Sequence, residues 1–367
     1  MKNSFLHTAK SLCKVIFLTI VLLLTTDLIL GNFFLNQFDK KSNTTPYIDH
    51  NVYDHTLKKN FKDKIQWTPG EFYNYCTDNN GFRIKCEDNK EISSTTNFDI
   101  AFIGDSFTEG IGVDFEKTFV GIIKEEFKDL SIANLAVTSY SPSVYYIKLN
   151  ELIKQGYSFK NLFVYVDISD VHDEAKKYKI KNNKIVRKKN PVVIKFQKKI
   201  NQYFPVISKF NKKLKNVLIP NLKEKYFGKK TNSCTYLDKC YQKSSWTYNN
   251  TAYDEIYIEK GIHSMEKLYE LLKKNNINLS IGIYPWPGQL LYDTEDSKQV
   301  KIWKNFCENK CDYFINNFPI FFDLNKKLGS QQVIKKYFIN GDVHFNENGN
   351  SIIASSLSGV IKKMYSK

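Results

Sequence analysis

The sequence predicts an α/β protein with a parallel five-stranded sheet, preceded by one N-terminal transmembrane helix. Short apolar runs that end at glycine or at polar residues recur along the chain, as in buried parallel strands. Stretches with helical spacing lie between these runs, and one 21-residue apolar stretch, Val15–Leu35, stands apart near the N-terminus. We therefore divide the chain into an anchor (residues 1–36), a juxtamembrane segment (37–95) and a main domain (96–367).

The composition excludes several classes of protein. A hydrophobic fraction of 42% with 27 phenylalanines and 23 tyrosines excludes a disordered chain, and a mean hydropathy of -0.42 excludes a polytopic membrane protein. The net charge of +16 comes from one place, because residues 176–230 hold 18 lysines and Arg187 against the single acid Glu224. Arg83 and Arg187 are the only arginines, which argues against a nucleic-acid reader.

The apolar stretch Val15–Leu35 predicts a membrane span. As a helix it reaches about 31 Å, enough to cross a bilayer core. Lys2, Lys10 and Lys14 precede it, which places the N-terminus in the cytoplasm and the main domain outside. A cleaved signal peptide is the alternative, although no small-residue cleavage site and no lipoprotein cysteine follow. Asp27 is either a residue that reaches the outer interface or a contact with a membrane partner.

The juxtamembrane segment 37–95 shows little periodicity, and we expect an irregular cover on the main domain. In the main domain, alternating strand and helix patterns predict the parallel sheet. The predicted strands are Phe98–Ile103, Leu130–Ala136, Asn161–Ile168, Ile277–Tyr284 and Pro319–Leu324. The predicted helices are Lys117–Phe127, Ser143–Gln155, Tyr253–Asn275, Ser297–Asn309 and Ser351–Tyr365.

A basic insertion, at about residues 176–250, interrupts this alternation. Apolar residues recur at helical spacing on both sides of Pro205, which predicts two amphipathic helices joined at the proline. In one interpretation, the apolar stripes pack on the domain and the lysines are solvated. In the others, the insertion binds the anionic outer face of the membrane or an acidic glycan.

Six of the seven cysteines form close pairs beyond the span, which indicates disulfides in an oxidising compartment. Structural thiols are an alternative, and zinc is disfavoured because no pair has CxxC spacing with a histidine nearby. We expect neither a metal nor a cofactor. The expected disulfides are Cys76 with Cys86, Cys234 with Cys240, and Cys307 with Cys311.

A serine motif, Gly104-Asp105-Ser106-Phe107-Thr108, follows the first strand of the main domain. A serine in a tight turn after a central strand exposes its hydroxyl, and its backbone N–H is free to stabilise an oxyanion. The alternative is an ordinary strand-to-helix turn in which Ser106 or Thr108 caps the helix.

A second motif, Asp342-Val-His344, lies in a loop rich in asparagine and glycine before the last helix. A histidine two residues after an aspartate suits a base whose tautomer a carboxylate fixes. The alternative is a surface histidine beside a helix cap. Because functional residues of such sheets lie at the carboxyl ends of the strands, both motifs can meet at one edge, and their co-occurrence favours catalysis.

Together the two motifs resemble the SGNH/GDSL hydrolase superfamily. Residues 104–110, GDSFTEG, are similar to its nucleophile block, and residues 341–349, GDVHFNENG, to its closing block. The Asp-x-His spacing followed by an aromatic residue is similar to the periplasmic alginate O-acetyltransferase branch. The resemblance covers residues 98–170 and 277–365. It implies a three-layer sandwich in which Ser106 is the nucleophile, His344 the base and Asp342 the acid that orients it.

The resemblance also implies an oxyanion hole formed by Ser106, Ala136 and Ser169. Ala136 stands where the family usually has glycine and still offers a backbone N–H. Ser169 stands where the family has asparagine and offers a hydroxyl as donor.

Three further residues are candidates for substrate binding. Asp105 precedes the nucleophile. Trp286, held between two prolines, offers an indole face for a sugar ring, or covers the sheet edge. Arg83 binds a substrate carboxylate, or caps a helix.

We therefore expect a membrane-anchored serine esterase or O-acyltransferase outside the cytoplasm, acting on acyl esters, in particular acetyl esters, of a surface glycan or lipid-linked sugar. Expected partners are that substrate and, for transfer, a membrane protein that donates the acyl group. The competing hypothesis is a glycan-binding or assembly protein that keeps the fold without catalysis. Hydrolysis and transfer share an acyl-enzyme, so the sequence does not separate them.

Overall fold

The computed structural model describes residues 2–31, 33, 45–67, 71–86, 95–188, 196, 199–201, 203–213, 243–249 and 252–366. The chain forms two compact units. The first contains residues 1–43 and 189–234, and the second contains residues 44–188 and 235–367.

The described strands and helices are these, in chain order. The strands are β1 (Tyr47–His50), β2 (Asp54–Leu57), β3 (Lys62–Gln66), β4 (Phe72–Thr77), β5 (Arg83–Ile84), β6 (Asn97–Ile103), β7 (Ile132–Asn134), β8 (Ser158–Tyr165), β9 (Tyr178–Lys181), β10 (Lys184–Arg187), β11 (Asn278–Ile283) and β12 (Tyr313–Asn316). The α-helices are Lys2–Thr26, Ser106–Glu109, Phe119–Glu126, Pro142–Lys154, Asp170–Lys176, Pro205–Lys213, Ala252–Lys274, Pro287–Tyr292, Lys298–Cys307, Phe318–Leu328, Ser330–Tyr337 and Glu347–Tyr365.

A five-stranded parallel sheet with the strand order β12-β11-β8-β6-β7 forms the centre of the second unit, which confirms the predicted fold class. Strands β6, β7, β8 and β11 are mostly apolar and buried, because helices pack on the sheet in two sets, whereas the edge strand β12 is largely half-buried. Phe119–Glu126 packs with Glu347–Tyr365, while Ala252–Lys274 packs with Pro142–Lys154 and Asp170–Lys176. The carboxyl ends of the adjacent strands β6 and β8 therefore lie side by side.

The predicted fifth strand, Pro319–Leu324, is wrong, because these residues belong to the helix Phe318–Leu328. The strand at the sheet edge is β12, a few residues earlier. A short apolar run has no period that separates a strand from a buried helix. Pro319 at the start of the run is typical of the first turn of a helix, and this signal favours the observed structure.

The expected irregular cover in residues 37–95 is also wrong where the structure describes it. Strands β1 and β2 pair antiparallel, and β3, β4 and β5 form a second antiparallel sheet. Tyr73 and Tyr75 of β4 are buried, whereas the alternating residues Phe72 and Asn74 are exposed. Strands of two to six residues are too short to give a visible period, but this alternation fixes which face is covered.

The basic insertion is not helical throughout. Its first residues form a hairpin of β9 and β10 in the second unit. The helix Pro205–Lys213 belongs to the first unit and begins at the proline predicted to join two helices. The helix Lys2–Thr26 continues as a π-helical turn, Asp27–Gly31. By length and composition, residues 14–31 could cross a membrane.

Asp27 is buried and has partners within the chain. Its carboxylate accepts hydrogen bonds from the backbone N–H groups of Val206 (2.9 Å) and Ile207 (2.7 Å). Asp27 therefore caps the helix that begins at Pro205. Gly31 leaves the room for this contact, because a Cβ there would lie 2.2 Å from the Asp27 carboxylate.

Two of the expected disulfides are present: Cys76–Cys86 joins β4 to the residues after β5, and Cys307–Cys311 closes the end of the helix Lys298–Cys307. The expected pair Cys234–Cys240 lies outside the described residues.

Candidate active site

The nucleophile turn connects β6 to the short helix Ser106–Glu109. Asp105 caps this helix, since its Oδ1 accepts a hydrogen bond from the Phe107 backbone N–H at 3.0 Å. Gly104 is required for space, because a Cβ there would lie 2.2 Å from Thr108 Oγ1 and 2.9 Å from the Tyr165 carbonyl oxygen. The turn thus places Ser106 at the first helical position, where its backbone N–H has no partner within the helix.

Ser106, His344 and Asp342 form a hydrogen-bonded chain. His344 Nε2 lies 2.8 Å from Ser106 Oγ, and His344 Nδ1 lies 2.5 Å from Asp342 Oδ1. Asp342 Oδ1 also accepts the backbone N–H of His344 at 3.0 Å, which fixes the loop around the ring. The structure therefore brings together two motifs that are 238 residues apart, as the sequence predicted.

Two aromatic residues hold this chain in place. Trp67 donates its indole N–H to Asp342 Oδ2 at 2.9 Å and packs edge-on against the His344 ring, with ring centroids 5.4 Å apart. Phe107 packs on another side of that ring at 4.6 Å. Burial acts to raise the pKa of Asp342, but the hydrogen bonds from His344 and Trp67 and the charge of His344 lower it to about 2. Asp342 is therefore ionised at neutral pH.

Glu109, at the end of the nucleophile helix, is a fully buried carboxylate with four donors. Oε1 accepts from the hydroxyls of Tyr47 (2.7 Å) and Tyr75 (2.5 Å). Oε2 accepts from the Thr138 backbone N–H (2.5 Å) and hydroxyl (2.7 Å). Tyr47 and Tyr75 come from the segment predicted to be irregular, so this segment fastens the nucleophile turn.

Arg83 is buried and supports the same turn. Its guanidinium is 1% exposed and donates to the carbonyl oxygens of Glu109 (2.6 Å), Gly110 and Val113 (2.5 Å). It also lies 4.7 Å from the centroid of the Tyr75 ring. The substrate-binding interpretation of Arg83 is wrong, because its described contacts leave it buried inside the fold.

Trp286 is likewise not an open stacking face. Its side chain is 3% exposed, packs on Phe107 with a centroid distance of 5.8 Å, and donates its indole N–H to Asp167 Oδ2 at 2.6 Å. The two prolines hold the ring over the sheet edge, which was the alternative interpretation of Trp286. The indole ring therefore does not offer the exposed face that was expected to stack on a sugar.

Asp105 is also buried, at 3% exposure, and its contacts are with the nucleophile turn and not with open space. Oxygen atoms of Asp105, Asp167 and Asp170 lie within 4.8 Å of one another, which is close enough for a metal ion. However, both oxygens of Asp167 accept N–H donors, from Ser169 and Trp286, and Asp105 Oδ1 accepts from Phe107. These internal donors already satisfy most of the ligand oxygens, and the group carries no metal assignment.

The predicted oxyanion donors are not all available. The Ala136 backbone N–H donates to Asn134 Oδ1 at 3.1 Å, and the Ser169 backbone N–H donates to Asp167 Oδ1 at 2.8 Å. The Ser169 hydroxyl also lies against Asp167. An aspartate or asparagine two residues earlier takes each backbone donor in a local turn, a feature of the sequence that the prediction missed. Of the three predicted residues, Ser106 is the one whose backbone N–H has no hydrogen-bond partner among the described residues.

Sequence reasoning also missed Trp67, Glu109 and Phe107. The sequence Trp67-Thr-Pro-Gly is typical of a turn, but nothing local connects Trp67 to Asp342, 275 residues away. Glu109 is an acidic residue in a strand-to-helix turn, where exposure is the ordinary expectation.

No protein-family description matches the chain, and no curated protein matches it. Among solved structures, the chain is similar to the psychrotrophic esterase EstA from Pseudoalteromonas sp. (10% identity, TM-score 0.37, covering 74% of this chain and 100% of that one). It is similar to a member of the lipolytic protein G-D-S-L family from Veillonella parvula (13%, 0.41, 72% and 98%). It is also similar to the acetylxylan esterase Axe2 from Geobacillus stearothermophilus (13%, 0.40, 72% and 94%). The G-D-S-L group is the one that the two motifs resemble; the alginate O-acetyltransferase branch stays a prediction.

Proposed function

We propose that the protein is a serine esterase or O-acyltransferase that works through an acyl-enzyme on Ser106. One observation carries this proposal: Ser106 Oγ lies 2.8 Å from His344 Nε2, while His344 Nδ1 lies 2.5 Å from an ionised Asp342. A nucleophile, a base and a carboxylate that orients the base within hydrogen-bond reach are the requirements of nucleophilic acyl transfer.

The reaction follows from these contacts. His344 Nε2 takes the Ser106 hydroxyl proton as Oγ bonds to the ester carbonyl carbon, and the carbonyl electron pair moves onto oxygen. The Ser106 backbone N–H donates to that oxyanion. The oxyanion collapses, the bond to the alcohol oxygen breaks, and His344 returns the proton to the leaving alkoxide. Water, or the hydroxyl of an acceptor sugar, then attacks the acyl-enzyme, gives its proton to His344 and releases Ser106, which regains a proton.

The test is labelling of the full-length protein in detergent with a fluorophosphonate probe, together with hydrolysis of a simple acetyl ester. Ser106→Ala should abolish both, whereas the control Ser351→Ala, on an exposed face of the last helix, should leave both unchanged. His344→Ala and Asp342→Asn should each lower labelling by at least about a hundredfold. Undiminished turnover in a folded Ser106→Ala protein contradicts the proposal.

We propose that the substrate is an acetyl ester of a glycan or lipid-linked sugar outside the cytoplasm. The two disulfides support an oxidising compartment, and the lysines before the apolar helix support this orientation. Transfer calls for a membrane protein that donates the acyl group. Incubation of acetylated oligosaccharides with and without an unacetylated acceptor separates the two reactions, since acetate is the product of hydrolysis and a newly acetylated acceptor the product of transfer.

A second candidate is a glycan-binding or assembly protein without catalysis. The engaged backbone donors of Ala136 and Ser169 favour it, since loss of one oxyanion donor typically costs about 3 kcal/mol of transition-state stabilisation. Binding of the oligosaccharides by the folded protein with neither labelling nor turnover is the result that supports this candidate.

A further inference from the structure

The Ser106 hydroxyl has two neighbours that compete for its single proton. His344 Nε2 lies 2.8 Å from Oγ, and Asp105 Oδ2 lies 3.1 Å from it on the adjacent residue. His344 Nδ1 donates a hydrogen bond to the ionised Asp342. In the neutral imidazole the other nitrogen, Nε2, then has a free lone pair and is an acceptor. Both neighbours of Oγ would then be acceptors if Asp105 were ionised, and one of the two contacts would lack a hydrogen.

The surroundings of Asp105 decide which group carries a proton. Asp167 accepts N–H donors at both oxygens, from Ser169 at 2.8 Å and from Trp286 at 2.6 Å, so it is the carboxylate of this group that is built to hold a negative charge. Asp105 has one N–H donor, from Phe107 at 3.0 Å, and its second oxygen faces only the Ser106 hydroxyl among its described hydrogen-bond partners. Oxygen atoms of Asp105 and Asp167 lie within 4.8 Å of each other, and two negative charges this close are unfavourable. The proton therefore belongs on Asp105.

Burial raises the pKa of Asp105 well above its usual range, and the negative charge of Asp167 raises it further. Burial also raises the pKa of Asp167, but the hydrogen bonds from Ser169 and Trp286 oppose this rise, as one N–H donor alone does at Asp105. Burial raises the pKa of Asp170 as well, and its Oδ2 accepts from the Tyr145 hydroxyl. Within the described part of the chain, the titratable groups that face Asp105 or its hydrogen-bond partner are Asp167, Asp170, Asp173, Tyr145, Tyr284 and, across Ser106, His344. Apart from His344, these groups are acids, and none of them supplies a positive charge that would favour an ionised Asp105.

We propose that Asp105 acts as a neutral carboxylic acid that donates a hydrogen bond to Ser106 Oγ and thereby leaves the serine proton for His344. This inference rests on the proposed function and adds a catalytic residue to it. Because the neutral acid donates its hydrogen bond to a lone pair of Ser106 Oγ, the serine hydroxyl hydrogen is directed at His344 Nε2. When Asp105 ionises, its carboxylate accepts the serine proton instead, and its charge also opposes the oxyanion. The wild-type enzyme is therefore inactivated at alkaline pH by a group other than the base.

The experiment measures the rate of fluorophosphonate labelling of full-length protein between about pH 6 and about pH 10, with circular dichroism at each pH as a check of the fold. We expect the rate to fall at alkaline pH, approaching about tenfold per pH unit above the pKa of Asp105. Asp105→Asn keeps the acceptor for Phe107 and a neutral donor to Oγ. It should remove the alkaline fall and keep a labelling rate at least about tenfold above that of Asp105→Ala, which has neither group. The control Asp49→Asn, at an exposed position in β1, should keep the wild-type profile.

A wild-type rate that stays level to the alkaline end while the fold persists overturns the inference, and this result needs no variant to fold. The same alkaline fall in Asp105→Asn as in the wild type also overturns it, as do equal rates for the Asn and Ala variants. Absence of labelling at every pH contradicts the proposed function itself, so the two failures are distinguishable.

Discussion

Two buried tyrosine hydroxyls in the second unit predict opposite effects of the same substitution. Tyr75 and Tyr165 are both fully buried. The Tyr75 hydroxyl donates to Glu109 Oε1 at 2.5 Å, whereas the Tyr165 hydroxyl has no hydrogen-bond partner among the described residues. Tyr→Phe removes one oxygen at each position and leaves the ring packing unchanged, so each variant is the matched control of the other.

The expected magnitudes follow from these partners. A hydrogen bond to a charged group contributes about 1.5–3 kcal/mol, so Tyr75→Phe should lower the free energy of unfolding by that amount. A buried hydroxyl without a partner costs about 1–3 kcal/mol, so Tyr165→Phe should raise the free energy of unfolding by up to that amount. The two variants should therefore differ by about 1.5–6 kcal/mol.

Urea unfolding of the full-length protein in detergent, followed by tryptophan fluorescence, measures this difference. The comparison requires that the two variants have the same dependence of the free energy of unfolding on urea concentration. Tyr75→Phe should also slow fluorophosphonate labelling, because Glu109 ends the helix that begins at Ser106. Equal destabilisation by both substitutions would refute the reasoning, since the hydroxyl of Tyr75 would then contribute nothing beyond the packing of its ring.

Two further predictions concern a buried cation and a disulfide. Burial lowers the pKa of Lys148 to about 7, against a smaller opposing effect of the Glu109 charge. In the unfolded chain this lysine keeps its proton up to about pH 10, so the free energy of unfolding should rise by up to about 1.4 kcal/mol per pH unit between about pH 7 and about pH 9. Lys148→Met should lose this dependence of the free energy of unfolding on pH, as measured by urea unfolding at each pH. Replacing Cys76 and Cys86 by alanine should lower the free energy of unfolding by roughly 2–3 kcal/mol in the chain-entropy picture, and an unchanged urea midpoint would contradict a formed disulfide.

The sequence predicts those features of the structure that depend on residues close together in the chain. Ser106 after a buried strand, and Asp342 with His344 two residues later, are local patterns, and the structure places them within hydrogen-bond distance. The contacts of Trp67 with Asp342 and of Tyr75 with Glu109 join residues 275 and 34 positions apart, and no local pattern encodes them.

The oxyanion residues show a second limit of sequence reasoning. A position in a motif states which backbone N–H is near the site, but not whether that N–H is already engaged. Asn134 and Asp167 take the N–H groups of Ala136 and Ser169 in local turns, and competition of this kind is decided by side-chain orientation. The misplaced fifth strand has the same origin in part, because an apolar run states that residues are buried but not in which secondary structure.

The contact of Asp27 with the amides of Val206 and Ile207 makes the apolar helix more than an interchangeable tether. A chimaera that replaces it with a generic hydrophobic span removes the acceptor of two amides, and a soluble truncation that starts after residue 36 does the same. Secretion vectors and helix swaps for this protein should therefore retain the sequence through Gly31, which makes room for the carboxylate. Selection on this apolar helix then acts through a specific polar contact as well as through hydrophobicity, so its sequence should tolerate less exchange than its composition suggests.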